Sequence, residues 1–181
     1  MKAVGEVMGI GRNFAEALQK ACQSLENNKI GLGADGKGLS KTEEILDSLQ
    51  HPSWDRIFKI KDAMSLGIPL HTIQKLTGID NWFLMQIQEL VKLDKEIQQY
   101  TIDTISKELL LKAKRFGFTD ARLAQLKSFS VQNMKLLRNK FNIHPAYFQV
   151  DTCAAEFASS TPYFYSTYWS KPNPGILSHI A

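Results

Sequence analysis

A glycine-rich run carries the most obvious chemical motif in the sequence. Its residues, Gly31-Leu32-Gly33-Ala34-Asp35-Gly36-Lys37, satisfy both G-x-G-x-x-G and G-x-x-x-x-G-K. A phosphate-binding loop of either kind follows a strand and opens a helix, so that backbone amides converge on phosphate. Here a predicted helix precedes the loop, and Gly38 takes the place of the Ser or Thr that would bind magnesium. We therefore expect no cofactor site here, and an ATP-binding enzyme that uses Lys37 is kept only as an alternative.

The cysteines and histidines are not spaced like a metal site or a catalytic pair. Cys22 and Cys153 lie far apart in the sequence without a C-x-x-C pattern, and none of the four histidines is three or four residues from another His or Cys. A zinc site and a disulfide framework are therefore not expected. Cys153 could be a nucleophile only beside a base, which the sequence does not supply. We predict no catalytic and no metal-binding residues, and a reducing, cytoplasmic location.

Positive charge is concentrated in residues 103–150, which hold nine basic and three acidic side chains. Such a segment could contact phosphate or an acidic partner. Within it, a helix–turn–helix spacing leads to residue types that suit a helix that reads DNA, namely Gln132, Asn133, Lys135 and Arg138. A solvated helix face is the simpler interpretation, because lysine commonly coats surface helices. A free-standing helical nucleic-acid-binding module stays open as an alternative function.

Helical signals dominate the elements that must position these residues. The chain has 181 residues, of which 44% are apolar and 22% charged, as in an ordinary globular domain. No stretch reaches the roughly 18 apolar residues of a membrane span, and no signal peptide is visible at the N-terminus. Apolar spacing and capping residues predict helices over 13–26, 41–49, 53–67, 70–76, 80–99, 103–115 or 106–115, 119–128 and 130–141.

The predicted helix from Asp80 to Gln99 is the longest and has a wide apolar stripe. Its first residues, Asp80-Asn81-Trp82-Phe83-Leu84, are acidic and then apolar, so we expect them to be buried rather than to read DNA. The stripe is a candidate interface between copies of the chain, but packing in the core is the simpler interpretation.

Both ends of the chain differ from the helical middle. Residues 1–11 alternate with a period of two and contain three glycines, which predicts an extended strand. A lone strand has no partner, so we expect this chain to be part of a larger protein that supplies one. From Ala146 to Trp169 the sequence is rich in aromatic residues and has only two charged groups. We predict an all-α fold, a small multi-helix orthogonal bundle with a short N-terminal β-strand segment and an irregular, aromatic-rich C-terminal segment.

Five motifs along the chain fit one family in order. They are Met1-Lys2-x-Val4-Gly5-Glu6-Val7-Met8-x-Ile10-Gly11-Arg12, Glu16-Ala17-Leu18-Gln19-Lys20-Ala21, Leu76-Thr77-x-Ile79-Asp80-x-Trp82-Phe83-Leu84, Lys114-x-x-Gly117-Phe118-x-Asp120, and Val150-Asp151-Thr152-Cys153-Ala154-Ala155-Glu156-Phe157 followed by Thr161-Pro162-Tyr163-x-Tyr165-Ser166-Thr167-Tyr168. Together they resemble the middle of the carbamoyl-phosphate synthase large subunit. The resemblance covers residues 1–168.

The resemblance implies a division of the chain into three parts. Residues 1–12 would end the first ATP-grasp (carboxyphosphate) domain, 13–145 would form the helical oligomerisation domain, and 146–181 would be an exit segment toward the second synthetase half. The helical-domain signature would be Thr77, Asp80, Trp82, Phe83 and Leu84. Residues near the internal tunnel or between domains would be Met1, Val4, Glu6, Met8, Arg12, Asp151, Thr152, Cys153, Glu156, Tyr163, Tyr165 and Tyr168.

The resemblance also implies a function without chemistry of its own. The family makes carbamoyl phosphate from bicarbonate, glutamine-derived ammonia and two ATP, for arginine and pyrimidine biosynthesis. This region would join the two synthetase halves and mediate self-association, while the ATP and Mg or Mn sites lie outside it. Expected partners are a second copy, the rest of the large subunit and a glutaminase small subunit, with no nucleic acid and no membrane.

Overall fold

The computed structural model describes residues 6–32, 42–158 and 160–169. Within these ranges the chain forms eight helices and one two-stranded sheet. The helices are α1 (Phe14–Gln23), α2 (Thr42–Gln50), α3 (Arg56–Ser65), α4 (Leu70–Thr77), α5 (Asn81–Gln98), α6 (Lys107–Arg115), α7 (Asp120–Lys127) and α8 (Val131–Lys140). The strands are β1 (Ala146–Gln149) and β2 (Phe164–Thr167). The predicted all-α fold is therefore confirmed.

Side-chain caps begin five helices where the sequence predicted them, including Ser106 at α6, one of the two starts predicted for that helix. The Oδ1 atom of Asn13 accepts a hydrogen bond from the backbone amide of Glu16 at 2.8 Å, which starts α1. Asp80, Thr119 and Ser130 do the same for α5, α7 and α8. Each cap satisfies an amide that has no partner inside its own helix. Local sequence therefore fixes where these helices begin.

Helix α5 is the centre of the core and packs against α1, α3, α4 and α7. Its apolar stripe is buried at Leu84, Ile87, Leu90, Val91, Leu93 and Ile97. A buried ion pair adds a polar contact, because Nη2 of Arg122 on α7 lies 2.7 Å from Oδ2 of Asp94 on α5. From Leu84 onward the stripe of α5 is thus part of the core, as the simpler interpretation of the sequence predicts.

The first turn of α5 departs from the prediction that it is buried. Trp82 and Phe83 are 49% and 43% exposed, whereas Leu84 is fully buried. The two aromatic rings pack on each other and on Phe14 of α1. Trp82 and Phe83 precede Leu84, the first residue of α5 that the neighbouring helices bury, so their rings are only partly covered.

The C-terminal segment is irregular over residues 150–158 and 160–163, as expected, but residues 146–149 and 164–167 form two strands that the sequence did not predict. Strands β1 and β2 pair antiparallel, with Ala146 opposite Thr167 and Gln149 opposite Phe164. The backbone amide of Val150 extends the pairing by donating to the carbonyl of Tyr163 at 2.8 Å. The two strands are joined by a long loop, and the sequence therefore contains no short turn motif that would predict their pairing. We call residues 146–169 the exit hairpin.

Residues 6–11 pair with no other described strand, and residues 1–5 lie outside the described part, so pairing with a strand from elsewhere stays a prediction. Residues 6–12, here called the leading segment, run antiparallel along α1. A Cβ added at Gly9 would lie 2.2 Å from the carbonyl oxygen of Ala17, and one at Gly11 would lie 2.7 Å from the Ala17 amide. The glycines therefore serve close contact with a helix.

Among the described residues, no helix combines the length and apolar character that crossing a membrane requires.

A matched pair of glycine substitutions tests how tightly the α6–α7 turn packs on α1. Gly67 and Gly117 end helices at φ +84° and +85°, but only Gly117 has close neighbours: a Cβ there would lie 2.7 Å from Cβ of Gln19. We expect Gly67→Ala to cost about 1 kcal/mol through backbone strain alone. Gly117→Ala should cost a further 1–3 kcal/mol or so, because α1 must move. Urea unfolding of both variants measures the difference, and equal losses would contradict the close contact.

Candidate functional site at the leading segment and exit hairpin

A single lysine on α1 joins the two ends of the described chain. Nζ of Lys20 donates to the carbonyl oxygen of Ile10 at 2.7 Å and to that of Ser166 at 2.5 Å. It also lies 3.0 Å from Oε1 of Glu16. An ammonium group has three donors, and these three contacts use all of them. Lys20 therefore holds the leading segment and the exit hairpin against the same helix.

Glu16 places the negative charge that this lysine needs. It lies one helical turn before Lys20 on the same face of α1, at the i, i+4 spacing that favours ion pairs. The side chain is 1% exposed, and its Oε2 atom accepts from the backbone amide of Arg12 at 2.8 Å. A buried carboxylate requires such partners, because its desolvation is otherwise costly. Glu16 thus binds both the leading segment, through the Arg12 amide, and the ammonium group of Lys20.

Arg12 extends the junction onto the aromatic rings of the hairpin. Its guanidinium lies 4.5 Å from the centroid of Phe148 and 5.7 Å from that of Tyr165. Two guanidinium nitrogens, Nε and Nη2, are buried and have no hydrogen-bond partner among the described residues. The ring faces therefore supply much of the electrostatic contact for this cation.

A second charged cluster lies where the hairpin ends. Asp120 on α7 accepts from Nζ of Lys114 at 2.8 Å and from Nε of Arg138 at 3.1 Å. The Tyr168 ring lies beside both cations, at 4.8 Å from Lys114 and 5.9 Å from Arg138. Nη1 of Arg138 also donates to the carbonyl of Ile143 at 2.8 Å. The cluster joins α6, α7, α8 and the end of β2.

The charges of this cluster change the acidity of its members. Burial alone would raise the pKa of Asp120, but the charge of Lys114 and the hydrogen bonds from Lys114 and Arg138 outweigh it, so the pKa is lowered. The pKa of Lys114 is also lowered, because burial and the nearby Arg138 charge outweigh the attraction of Asp120. Because Lys114 and Arg138 share one carboxylate, the ionised form of Asp120 is favoured and the charged form of Lys114 is disfavoured.

Helix α6 binds the last described residues through Arg115. Its Nε donates to the carbonyl oxygen of Tyr168 at 3.3 Å, and its guanidinium lies 4.6 Å from the Trp169 ring. The hairpin is therefore bound to α1 at Ser166 and to α6 at Tyr168.

An open cleft of about 660 Å³ lies between the leading segment, α1, the α6–α7 turn and β2. Glu16, Lys20, Lys114 and Asp120 line it, and each of them is engaged in an ion pair. The charge of each of these four side chains is therefore balanced by another side chain of the cleft. The arrangement therefore suits mechanical connection better than acid–base chemistry.

Four of the residues predicted to lie between domains meet at this junction. Met8, Tyr165 and Tyr168 line the cleft, and Arg12 packs on Tyr165. Glu6 and Tyr163 are exposed and do not line the cleft. Met1 and Val4 lie outside the described residues.

The remaining predicted residues of the exit segment form a separate turn. The carboxylate of Asp151 accepts from the backbone amides of Cys153 and Ala155, at 2.9 and 2.6 Å. The amide of Glu156 donates to the carbonyl of Cys153, and Thr152 is exposed beside it. Among the described residues that line the cleft, none belongs to this turn. Their position relative to a tunnel stays a prediction.

The helical-domain signature organises the start of α5. Thr77 donates through Oγ1 to the carbonyl of Ile73 and accepts from the amide of Ile79, which shapes the turn between α4 and α5. Asp80 caps α5, and Leu84 is buried in the core. Trp82 and Phe83 remain half exposed.

The DNA-reading candidates on α8 do not form a free basic surface. Arg138 is 8% exposed and is engaged by Asp120 and Ile143, so it is not available to phosphate. Only Gln132, Asn133 and Lys135 are exposed as that alternative requires. The inclusion of Arg138 was therefore wrong.

The glycine run begins within the described residues and continues outside them. Leu32 is buried, and its amide donates to Oε1 of Gln19 on α1 at 2.9 Å. Gly33–Gly38, with Lys37, lie outside the described part. In the ranges that are described, no group of three or more His, Cys, Asp or Glu side chains could hold a metal ion. Cys22 is buried, which raises the pKa of its thiol to about 11.

Sequence reasoning missed the charged residues that build the junction. Glu16 and Lys20 were recognised only as part of a family motif, and Lys114 and Asp120 likewise. The i, i+4 spacing of Glu16 and Lys20 was a usable signal, but the same spacing is common on solvated helix faces. Their burial depends on segments that lie far away in the sequence.

Comparison with known proteins matches this chain to one family. Residues 6–142 match the family described as carbamoyl-phosphate synthetase large chain, oligomerisation domain. The chain is 46% identical over 170 residues to the carbamoyl phosphate synthase large chain of Vibrio cholerae, and 43% identical over 173 residues to that of Archaeoglobus fulgidus. Each match covers 93% of this chain but only 16% of the relative, so the chain spans about a sixth of the length of these relatives.

The Asp120 cluster should make stability depend on pH in the acid range. A lowered pKa in the folded state contributes stability above the unfolded pKa, near 3.9, and this contribution is lost as the pH falls through the folded value. Asp120→Asn removes the acid and should cost about 3 kcal/mol at pH 7. The difference from the unchanged chain should shrink between about pH 5 and 2. Denaturant unfolding at several pH values measures it, and a pH-independent difference would contradict the ionic role of Asp120.

Proposed function

We propose a connecting, non-catalytic function for this chain, which belongs to the family of the carbamoyl-phosphate synthetase large chain oligomerisation domain. The observation that carries the proposal is the double contact of Lys20, whose Nζ binds the carbonyls of Ile10 and Ser166 at once. These carbonyls belong to the leading segment and the exit hairpin. A helix that holds both segments sets the geometry between whatever precedes and follows them in a longer chain.

Besides Lys20, each of the two segments has further anchor points. Arg12 and Glu16 secure the leading segment, through ring contacts with Phe148 and a backbone hydrogen bond. Arg115 and the Asp120 cluster secure the end of the hairpin. Because each anchor includes a charge that is at least partly buried, displacing a segment would expose or orphan that charge. The connection should therefore be stiff and not a flexible tether.

The chemistry of the whole large chain is a further part of the proposal. The relatives are named carbamoyl phosphate synthases, and this chain covers 16% of their length. We place the synthesis of carbamoyl phosphate, and its ATP and Mg or Mn, in regions outside these residues. A rise in the Tm of this chain on addition of Mg-ATP would contradict that placement.

The expected partners are a second copy, the remaining large subunit and a glutaminase small subunit. Self-association follows from the description of the matched family as an oligomerisation domain. A cytoplasmic location is retained, because two free cysteines suit a reducing compartment. The nucleic-acid alternative is not favoured, since Arg138 is committed to the Asp120 cluster.

Replacing Lys20 by methionine tests the connecting function. Lys20→Met keeps most of the apolar stem but removes all three donors, leaving Glu16 buried with only the Arg12 amide. We expect a loss of about 2–4 kcal/mol and much faster amide exchange in peptides covering the leading segment and residues 146–169. Hydrogen exchange with mass spectrometry at a pH where the chain stays folded measures this.

Lys75→Met is the matched control, because Lys75 is an exposed lysine on α4. It should leave both the stability and the exchange of the hairpin unchanged. If Lys20→Met also leaves the hairpin protected, Lys20 does not hold the two segments and the connecting function lacks its anchor.

A further inference from the structure

Three aromatic rings form an exposed cluster at the N-terminal ends of α1 and α5. The centroids of Phe14, Trp82 and Phe83 lie 5.0–5.5 Å apart in edge-to-face contacts. Trp82 and Phe83 are about half exposed, and Met85, one turn along α5, is 47% exposed. Exposed apolar side chains that are grouped in this way commonly mark an interaction site.

The cluster lies at the end of α1 away from the point where the leading segment departs. Gly11 approaches Ala17, Gly9 approaches Ala21, and Met8 lines the cleft beside Gln23. The leading segment therefore leaves near the C-terminal end of α1, about 15 Å along the helix axis from Phe14. The leading segment itself therefore does not cover the aromatic cluster.

The distribution of charge favours the α5 surface over the exposed apolar surface of α8 as the place where two copies contact each other. Along the exposed side of α5, Glu89 and Lys92 pair with each other at 2.7 Å, and Asp80 is a further exposed acid at the start of the helix. Helix α8 also exposes Leu136, but it carries Lys135 and Lys140 and no acid. Two copies of α8 would bring only positive charges together, whereas the exposed side of α5 carries charges of both signs.

We propose that Trp82, Phe83 and Met85 form a two-fold contact between two copies of this chain. The inference rests on the self-association stated under the proposed function and names the surface that carries it. A two-fold contact uses the same surface on both copies, so the surface must complement itself.

The positions on α5 satisfy this requirement. Trp82 and Met85 are three residues apart and share one face of the helix. A two-fold axis passing between them brings each Trp82 ring against Met85 of the second copy. Sulfur–aromatic contacts of this kind are favourable, and they would form twice.

The size of the cluster predicts a weak association. Four side chains provide less than the roughly 800 Å² per partner of a standard stable interface. We therefore expect a concentration-dependent equilibrium with a Kd in the micromolar range or weaker.

Two glutamate substitutions that should differ in their effect on association test the inference. Met85→Glu places two like charges near the proposed axis and should weaken association at least tenfold. Leu136→Glu introduces the same charge at an exposed apolar position of α8 and should have no effect. Light scattering of the full 181-residue chain over a concentration series measures the mass, and far-UV circular dichroism checks that each variant is folded.

A mixture of Met85→Glu with Met85→Lys adds a test of the symmetry. Near a two-fold axis the two opposite charges meet, so the mixture should associate more strongly than either variant alone. A mixture no stronger than its components would overturn the two-fold arrangement.

The outcomes separate this inference from the function on which it rests. If the unchanged chain is monomeric throughout, the proposed self-association fails and the surface fails with it. If the unchanged chain associates but Met85→Glu and Leu136→Glu behave alike, self-association stands and the α5 surface is wrong.

Discussion

The ion pair between the buried Glu16 and the partly exposed Lys20 is the interaction on which the arrangement of the molecule depends. Glu16 is 1% exposed, and its charge is balanced by Lys20 and by the Arg12 amide. Lys20 in turn has two remaining donors, which bind one carbonyl from each end of the described chain. Because an unpaired buried charge is strongly unfavourable, the helix, the leading segment and the hairpin are stable only together.

The rest of the helical bundle serves to hold α1 in place. Helix α5 supplies the core against which α1 packs, and Gly117 lets the α6–α7 turn approach α1 closely. The Asp120 cluster then binds the end of the hairpin from the opposite side. A domain built in this way transmits position between two segments and needs no reactive group, which agrees with the family to which the chain belongs.

Local features of the structure could be predicted from the sequence, and non-local ones could not. Caps such as Asn13 and Asp80, together with apolar periodicity, located the helices because helix signals lie within a few residues. The hairpin was missed because Ala146 pairs with Thr167 across a long loop. The exposure of Trp82 was missed because it depends on which elements cover α5. The junction residues Glu16 and Lys20 resemble a surface pair until the two distant segments cover them.

The distance between the leading segment and the exit hairpin is the measurement that decides whether they form one unit. Spin labels at Met8→Cys and Phe164→Cys, in a Cys153→Ser background, report it by pulsed electron resonance. Cys22 is buried and its thiol pKa is raised to about 11, so it should stay unlabelled. A junction held by Lys20 predicts a single narrow distance distribution that broadens in Lys20→Met. A broad distribution in the unchanged chain would contradict a stiff connection.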